Sequence, residues 1–268
     1  PLIPALFAEN LGVDVLLLIA AAVLILPIFL ILYLDRLKSV DLHNESVSAD
    51  LSAAKIGGNP FAGFKMFFSN PYLLAIGAFI FLYTTIGSFV YFEQKNLLAD
   101  YTRAERTEIL AIIDWVVNIL TFGIGMFATS RIVTRFGMPT TLSLVPIFIA
   151  LGLIILAFAP ILTIALALQV ARRAGNYAIT RPAREMLFTA VDRETRFKAK
   201  PVIDIAVYRG GDAISSAVFA SLTDGIGLGL GAMAAVGAAI AAIWAMVGSY
   251  LGKIFNHANN SAAKALSL

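Results

Sequence analysis

Seven long apolar runs dominate the chain, at 12–34, 70–92, 108–129, 140–159, 161–180, 202–223 and 226–252. About 20 apolar residues cross a bilayer as one helix. A water-soluble core could not hide seven such segments. Hydrophobic residues make up 59% of the 268 and charged ones 14%, against about 45–50% and about a quarter in soluble domains. The solvent is therefore expected to be lipid, which excludes most soluble-enzyme readings. A closed barrel is the other solution in lipid, but its strands would be short and alternating, and these runs are long and continuous. Breakers separate them: Asn70-Pro71, Gly137-Met138-Pro139, Pro160, Pro182, Pro201 and Asp224-Gly225. The expected fold class is an all-α polytopic membrane protein with seven transmembrane helices. The fifth and sixth runs are the least apolar.

Lysine and arginine give the orientation. Loops 35–69, 130–139, 181–201 and 253–268 fall on one side, and with Arg172 and Arg173 they hold 16 of the 20 basic residues. Lys95, Arg103 and Arg106 fall on the other side, and Arg209 lies inside a span. The positive-inside rule then puts the N-terminus outside and the C-terminus in the cytoplasm, as in a bacterial inner membrane. The formal charge of +3 reflects this bias, so nucleic acid is not an expected partner. The chain has no Cys, hence no disulfide framework and no cysteine nucleophile. It begins at Pro1, inside an apolar stretch with no signal-peptide pattern, and reads as a piece of a longer protein. Residues 1–35 are expected to be a single transmembrane helix ending a missing N-terminal half. Residues 36–69 are a polar cytoplasmic linker closing in Gly57-Gly58-Asn59-Pro60, with an amphipathic end at 61–68 on the lipid surface. Residues 70–268 form a six-helix bundle.

Positions 3, 4 and 7 apart share a helix face. Polar stripes then appear in four spans: Thr84, Gly87, Ser88, Tyr91; Asp114, Asn118, Thr121, Gly125; Gln169, Arg172, Arg173, Asn176, Thr180; and Asp204, Tyr208, Asp212, Ser215, with Arg209 beside the last. Spans 140–159 and 226–252 have none. A charge at mid-membrane costs about 2.5–3.5 kcal/mol on insertion scales, so these residues must be paired or wet. Over the last six spans the order is polar, polar, apolar, twice. Two repeats of three helices around a midplane site is how secondary transporters are built.

The six-span block, with these stripes, resembles the C-terminal half of a major facilitator superfamily transporter, and Ser130–Gly137 is similar to that superfamily's short basic loop. Within the block, Pro182, Arg184-Glu185-Met186, Asp192, Lys198-Ala199-Lys200 and Ile203-Asp204 stand in the order found in nucleotide exchange carriers of the ATP/ADP translocase type. The resemblance implies alternating access, a missing N-terminal half as partner, and nucleotide exchange. Two positions depart from it. Arg181 stands where the family usually has an acid, and Asp212 where it has a base. Replacing a base by Asp changes a cavity by two charges, so the expected substrate class widens from nucleotides to small anions.

Two readings fit Arg172 and Arg173. They bind an anion through planar bidentate donors, or one of them pairs with Asp114 or Asp204 to hold helices together. With them, Asn176, Arg209, Asp114 and Asn118 are the expected substrate-binding residues. Asp204, Asp212, Tyr208, Arg184, Glu185, Lys198 and Lys200 are the expected coupling or gating residues. A basic inner loop also serves topology and lipid headgroup contact. Carboxylates near Arg can take up protons during transport, which leaves a proton-coupled carrier of an unrelated small solute as the runner-up. His43 and His257 have no metal-ligand spacing, so no metal or cofactor is expected. No Walker loop is present. An intramembrane aspartyl protease is the remote alternative: Gly210-Gly211-Asp212 approaches its motif, but Arg209 takes a glycine position and opposes a shared proton. A seven-helix receptor or retinal protein is disfavoured because the last span holds no Lys.

Overall fold

The computed structural model describes residues 61–266 and, before them, Ala21–Leu34 with residues 15, 18, 36 and 37. Two compact units divide the chain at Gly58/Asn59. The first contains helix α1 (Ala21–Leu34), apolar and exposed along its length. It falls within the expected first span. Residues 38–60, most of the expected linker, lie outside the described residues.

The second unit contains α2 (Ala62–Ser69), α3 (Pro71–Leu97), α4 (Arg103–Phe127), α5 (Thr129–Phe158), α6 (Leu162–Gly175), α7 (Arg181–Leu187), α8 (Arg193–Pro201), α9 (Tyr208–Ala220) and α10 (Leu230–Leu266). No strand occurs among the described residues. The protein is an all-α membrane protein. Within α3, α4, α5 and α10 lie four helical stretches long and apolar enough to cross a bilayer, Pro71–Leu97, Glu105–Phe127, Thr129–Phe158 and Leu230–Asn259. The expected fifth and sixth spans are built differently. Each is helical, but π turns at Asn176–Thr180, Val202–Val207 and Ser221–Gly225 cut it into shorter α segments.

Local chemistry places the ends. Asn70 caps α3 by accepting from the Tyr72 and Leu73 amides, with Pro71 in the first turn where its missing N–H is harmless. Thr102 and Glu105 form a reciprocal capping box at α4. Asp192 caps α8 through the Thr195 amide, and that bond holds its carboxyl below the usual value. The basic turn expected at 130–137 is itself helical and ends at Gly137, whose φ of 73° suits glycine alone. Pro182 explains the first π turn. It has no N–H to offer the carbonyl four residues back, Ala178, and the buried Thr129 hydroxyl donates to that oxygen instead, at 2.6 Å.

In the core α10 lies along α5, and small residues let the backbones approach. Gly231 faces the Ala157 carbonyl. A Cβ on Gly248 would stand 2.8 Å from the Leu142 carbonyl oxygen and 3.0 Å from the Phe79 ring. The Ser143 and Ser249 hydroxyls bond at 2.7 Å. Helix α3 packs against α10, α9 and α6 and is the most enclosed of the long helices. A run of rings joins them: Phe79 and Tyr83 both meet Trp244, and Tyr83 meets Tyr208 at 6.2 Å between centroids. Helix α4 meets α6 and α5 and leaves Trp115, Ile119, Phe122 and Met126 exposed.

Candidate functional site: two polar pockets sharing a tyrosine pair

The polar faces of α3, α6 and α9 converge on two pockets. Neither draws a side chain from α5 or α10, the two helices without polar stripes. The Arg172 pocket, about 300 Å³, is lined by α3 from Tyr83 to Phe92, by Arg172 of α6 and by Tyr208, Asp212 and Ser216 of α9. The basic pocket, about 370 Å³, takes Asn176, Tyr177, Arg181, Arg184 and Glu185 from around the first π turn. It takes Lys200, Asp204, Tyr208 and Arg209 from around the second. Tyr83 and Tyr208 line both, so this ring pair is the partition between them.

Arg172 lies at the partition. Its Nε and Nη2 donate to Gln169 at 3.2 and 3.0 Å, and its guanidinium sits 5.9 Å from the Tyr83 ring centre. Gly87 leaves room for it, since a Cβ there would be 3.2 Å from Nη1. Arg172 and Asp212 share the pocket without forming an ion pair within 4 Å. Arg173 points elsewhere: it pairs with Asp114 at 2.5 Å and lines neither pocket. The two readings of this doublet thus divide between neighbours, one arginine facing a pocket and one holding α4 to α6. Asn118 is exposed on α4 and lines neither pocket.

The basic pocket holds Arg181, Arg184, Lys200 and Arg209 against Glu185 and Asp204, four cations to two carboxylates, a formal surplus of two. Arg184, only 11% exposed, reaches Asp204 at 3.5 Å and Glu185 at 3.6 Å. Lys200 closes on Glu185 at 2.5 Å. Among the described residues, Arg181 and Arg209 have no carboxylate within 4 Å. The surplus therefore rests on two guanidiniums, whose planar forks suit carboxylate or phosphate oxygens. Lys198 turns away from the pocket and pairs with Glu194 at 2.6 Å. No group of three or more metal-ligating side chains occurs among the described residues.

Sequence spacing missed five lining residues, Tyr83, Phe92, Tyr177, Arg181 and Ser216. Tyr83 is four residues before Gly87 and eight before Tyr91, so the 3.6-residue period contained it. Arg181 was not legible this way. The π turn adds a residue to the turn and rotates the helix beyond it, so Thr180, expected on the stripe, is buried and Arg181 takes its place. Ser215 also leaves the pocket face: it is buried and its hydroxyl donates to Thr85 at 2.8 Å. Compared with known proteins, the chain matches no family model, no curated protein and no solved structure.

Proposed function

We propose that this protein is a secondary active transporter of the major facilitator type, in which the six-span block works with a second half-bundle and moves a small organic anion by alternating access. Exchange of nucleotides, as in an ATP:ADP antiporter, is the specific form the sequence resemblance implies. The observation that carries the reading is the basic pocket, with two guanidiniums left over after the carboxylates are matched, set between helices of a membrane-embedded bundle. Arg181 and Arg209 are both exposed, so an arriving solute can reach them, and the carboxylates of the pocket do not occupy their guanidinium forks. A solute that arrives with negative charge supplies the balance. Tyr83 and Tyr208 line both pockets, and in this reading a solute passes between them at this ring pair. The basic side of the bundle faces the cytoplasm of an inner membrane in this reading, and lipid headgroups meet the exposed arginines there.

Single cysteines test it, since the chain has none of its own. Tyr177→Cys places a thiol in the basic pocket and Ser216→Cys one in the Arg172 pocket. A transported anion should slow thiol modification at both positions in reconstituted protein, while a neutral analogue of equal size should not. Equal labelling rates with and without any of a panel of nucleotides and organic acids would count against the proposal.

A further inference from the structure

The Arg172 and basic pockets leave one buried acid out of account. Glu93 lies one turn before the end of α3. It is 0% exposed, and neither carboxyl oxygen has a hydrogen-bond partner among the described residues. Its own helix face carries Phe89, Val90 and Leu97, with the exposed Asn96 beside them, three or four residues away. Phe89 packs edge-on to Phe219 of α9 at 5.2 Å and against Gly237 of α10, within an apolar cluster that includes Met233.

Glu93 makes no ion pair within 4 Å among the described residues; just past the end of α3 lie Asp100, Arg103 and Arg106, and Arg106 is engaged by the Ala99 and Tyr101 carbonyls. Helix α10 has no titratable residue from Leu230 to Gly248; Tyr250, Lys253 and His257 come later. Helix α6 has none before Arg172, which lies beside Gly87, six residues and about 9 Å of helix rise from Glu93. On α9 the groups are Tyr208, Arg209 and Asp212, well before Phe219, and exposed Asp224 beyond it. Lys65 of α2 and Asp204 of the second π turn belong to the opposite end of α3. On α3 itself, Tyr91 and Lys95 are exposed, and Lys95 sits over the Phe92 ring.

An ionised carboxylate without a partner is not stable in such a place; the group takes a proton instead. A buried carboxylic acid differs from Gln or Leu in one property, which is that it can release that proton when water reaches it. We propose that Glu93 is a proton-binding site: its carboxyl is neutral where α3 packs against α9 and α10, and it gives its proton to water when that packing opens, so that the helix rearrangement and proton release are linked. The sign is set by the extra proton held in the packed form. Acid favours the packing described here, and rising pH favours its opening. Coupling of this step to solute movement rests on the transporter reading above, but proton binding itself does not.

The test has two arms. Infrared spectra of the protein in liposomes at neutral pH should contain a protonated-carboxyl C=O band that is lost in Glu93→Gln, a variant of the same size and charge as the neutral acid. Identical spectra would overturn the proposal, whether or not any solute is transported. A wild-type spectrum taken as pH is raised should lose the same band, which answers the case in which the variant does not fold. In the second arm, uptake by Glu93→Gln should keep its rate at neutral pH and lose the pH dependence of wild type. An unchanged pH profile would overturn the link between proton and helix movement. Absence of uptake in wild type would instead defeat the transporter reading and leave the infrared result standing.

Discussion

Arg184 bridges the two carboxylates of the basic pocket, so its removal tests the charge arrangement directly. At 3.5 Å from Asp204, the gross attraction is about 5 kcal/mol at an effective dielectric constant of about 20. Most of this is offset. Arg184 is 11% exposed and Asp204 31%, so both lose hydration on pairing, and water still screens the acid. Glu185 keeps Lys200 at 2.5 Å when Arg184 is gone, and Asp204 is the group left alone. The expected coupling between Arg184 and Asp204 is then about 1–2 kcal/mol, inside the usual range for contacting residues. The assay is a double-mutant cycle of Arg184→Ala and Asp204→Asn, read from thermal or denaturant unfolding of purified protein. Arg184→Ala alone should be the more harmful change, and adding Asp204→Asn should recover part of the loss. A coupling below about 0.5 kcal/mol would refute the pairing.

Gly248→Ala should destabilise the α5–α10 contact by about 1–3 kcal/mol, because its Cβ would meet the Leu142 carbonyl oxygen at 2.8 Å; a neutral result in thermal unfolding would show that the helices stand further apart. Thr129→Val should cost about 1–3 kcal/mol by leaving the Ala178 carbonyl unpaired beside Pro182, and an unchanged melting temperature would remove the account given for the π turn. Arg172→Ala should weaken anion binding with partial rescue by Lys, whereas Arg173→Ala should leave affinity intact and lower stability by only about 0.2–1 kcal/mol, since the Arg173–Asp114 pair is 31% and 42% exposed. Equal affinity losses for the two arginines would contradict their separation.

What could be read from the sequence was whatever depends on local chemistry and a regular period. Asn70-Pro71 marked a boundary between elements because capping and the missing proline N–H act locally. The stripe on α3 was legible because that helix keeps 3.6 residues per turn through the pocket. The fifth and sixth spans were harder, since each π turn resets the register: extrapolation from Arg172 and Asn176 arrives at Thr180, and the structure puts Arg181 in the pocket. Neighbouring Arg172 and Arg173 differ by about 100° of helix rotation, and which one faces the pocket depends on how α6 packs. Glu93 was invisible for another reason. It lies off the polar stripe, near the end of a span, where an acid reads as solvated; only its complete burial in the folded bundle reveals that it is enclosed.

Counterflow into liposomes tests the central claim most directly. Vesicles holding reconstituted protein and preloaded with an unlabelled organic anion or nucleotide are placed in a trace of the same compound carrying a label. If the basic pocket is the solute site of an exchanging carrier, label should accumulate transiently with wild-type protein, and Arg181→Ala with Arg209→Ala should abolish that accumulation at matched protein level. No accumulation of any anion with wild type, or full accumulation when both arginines are removed, would contradict the account.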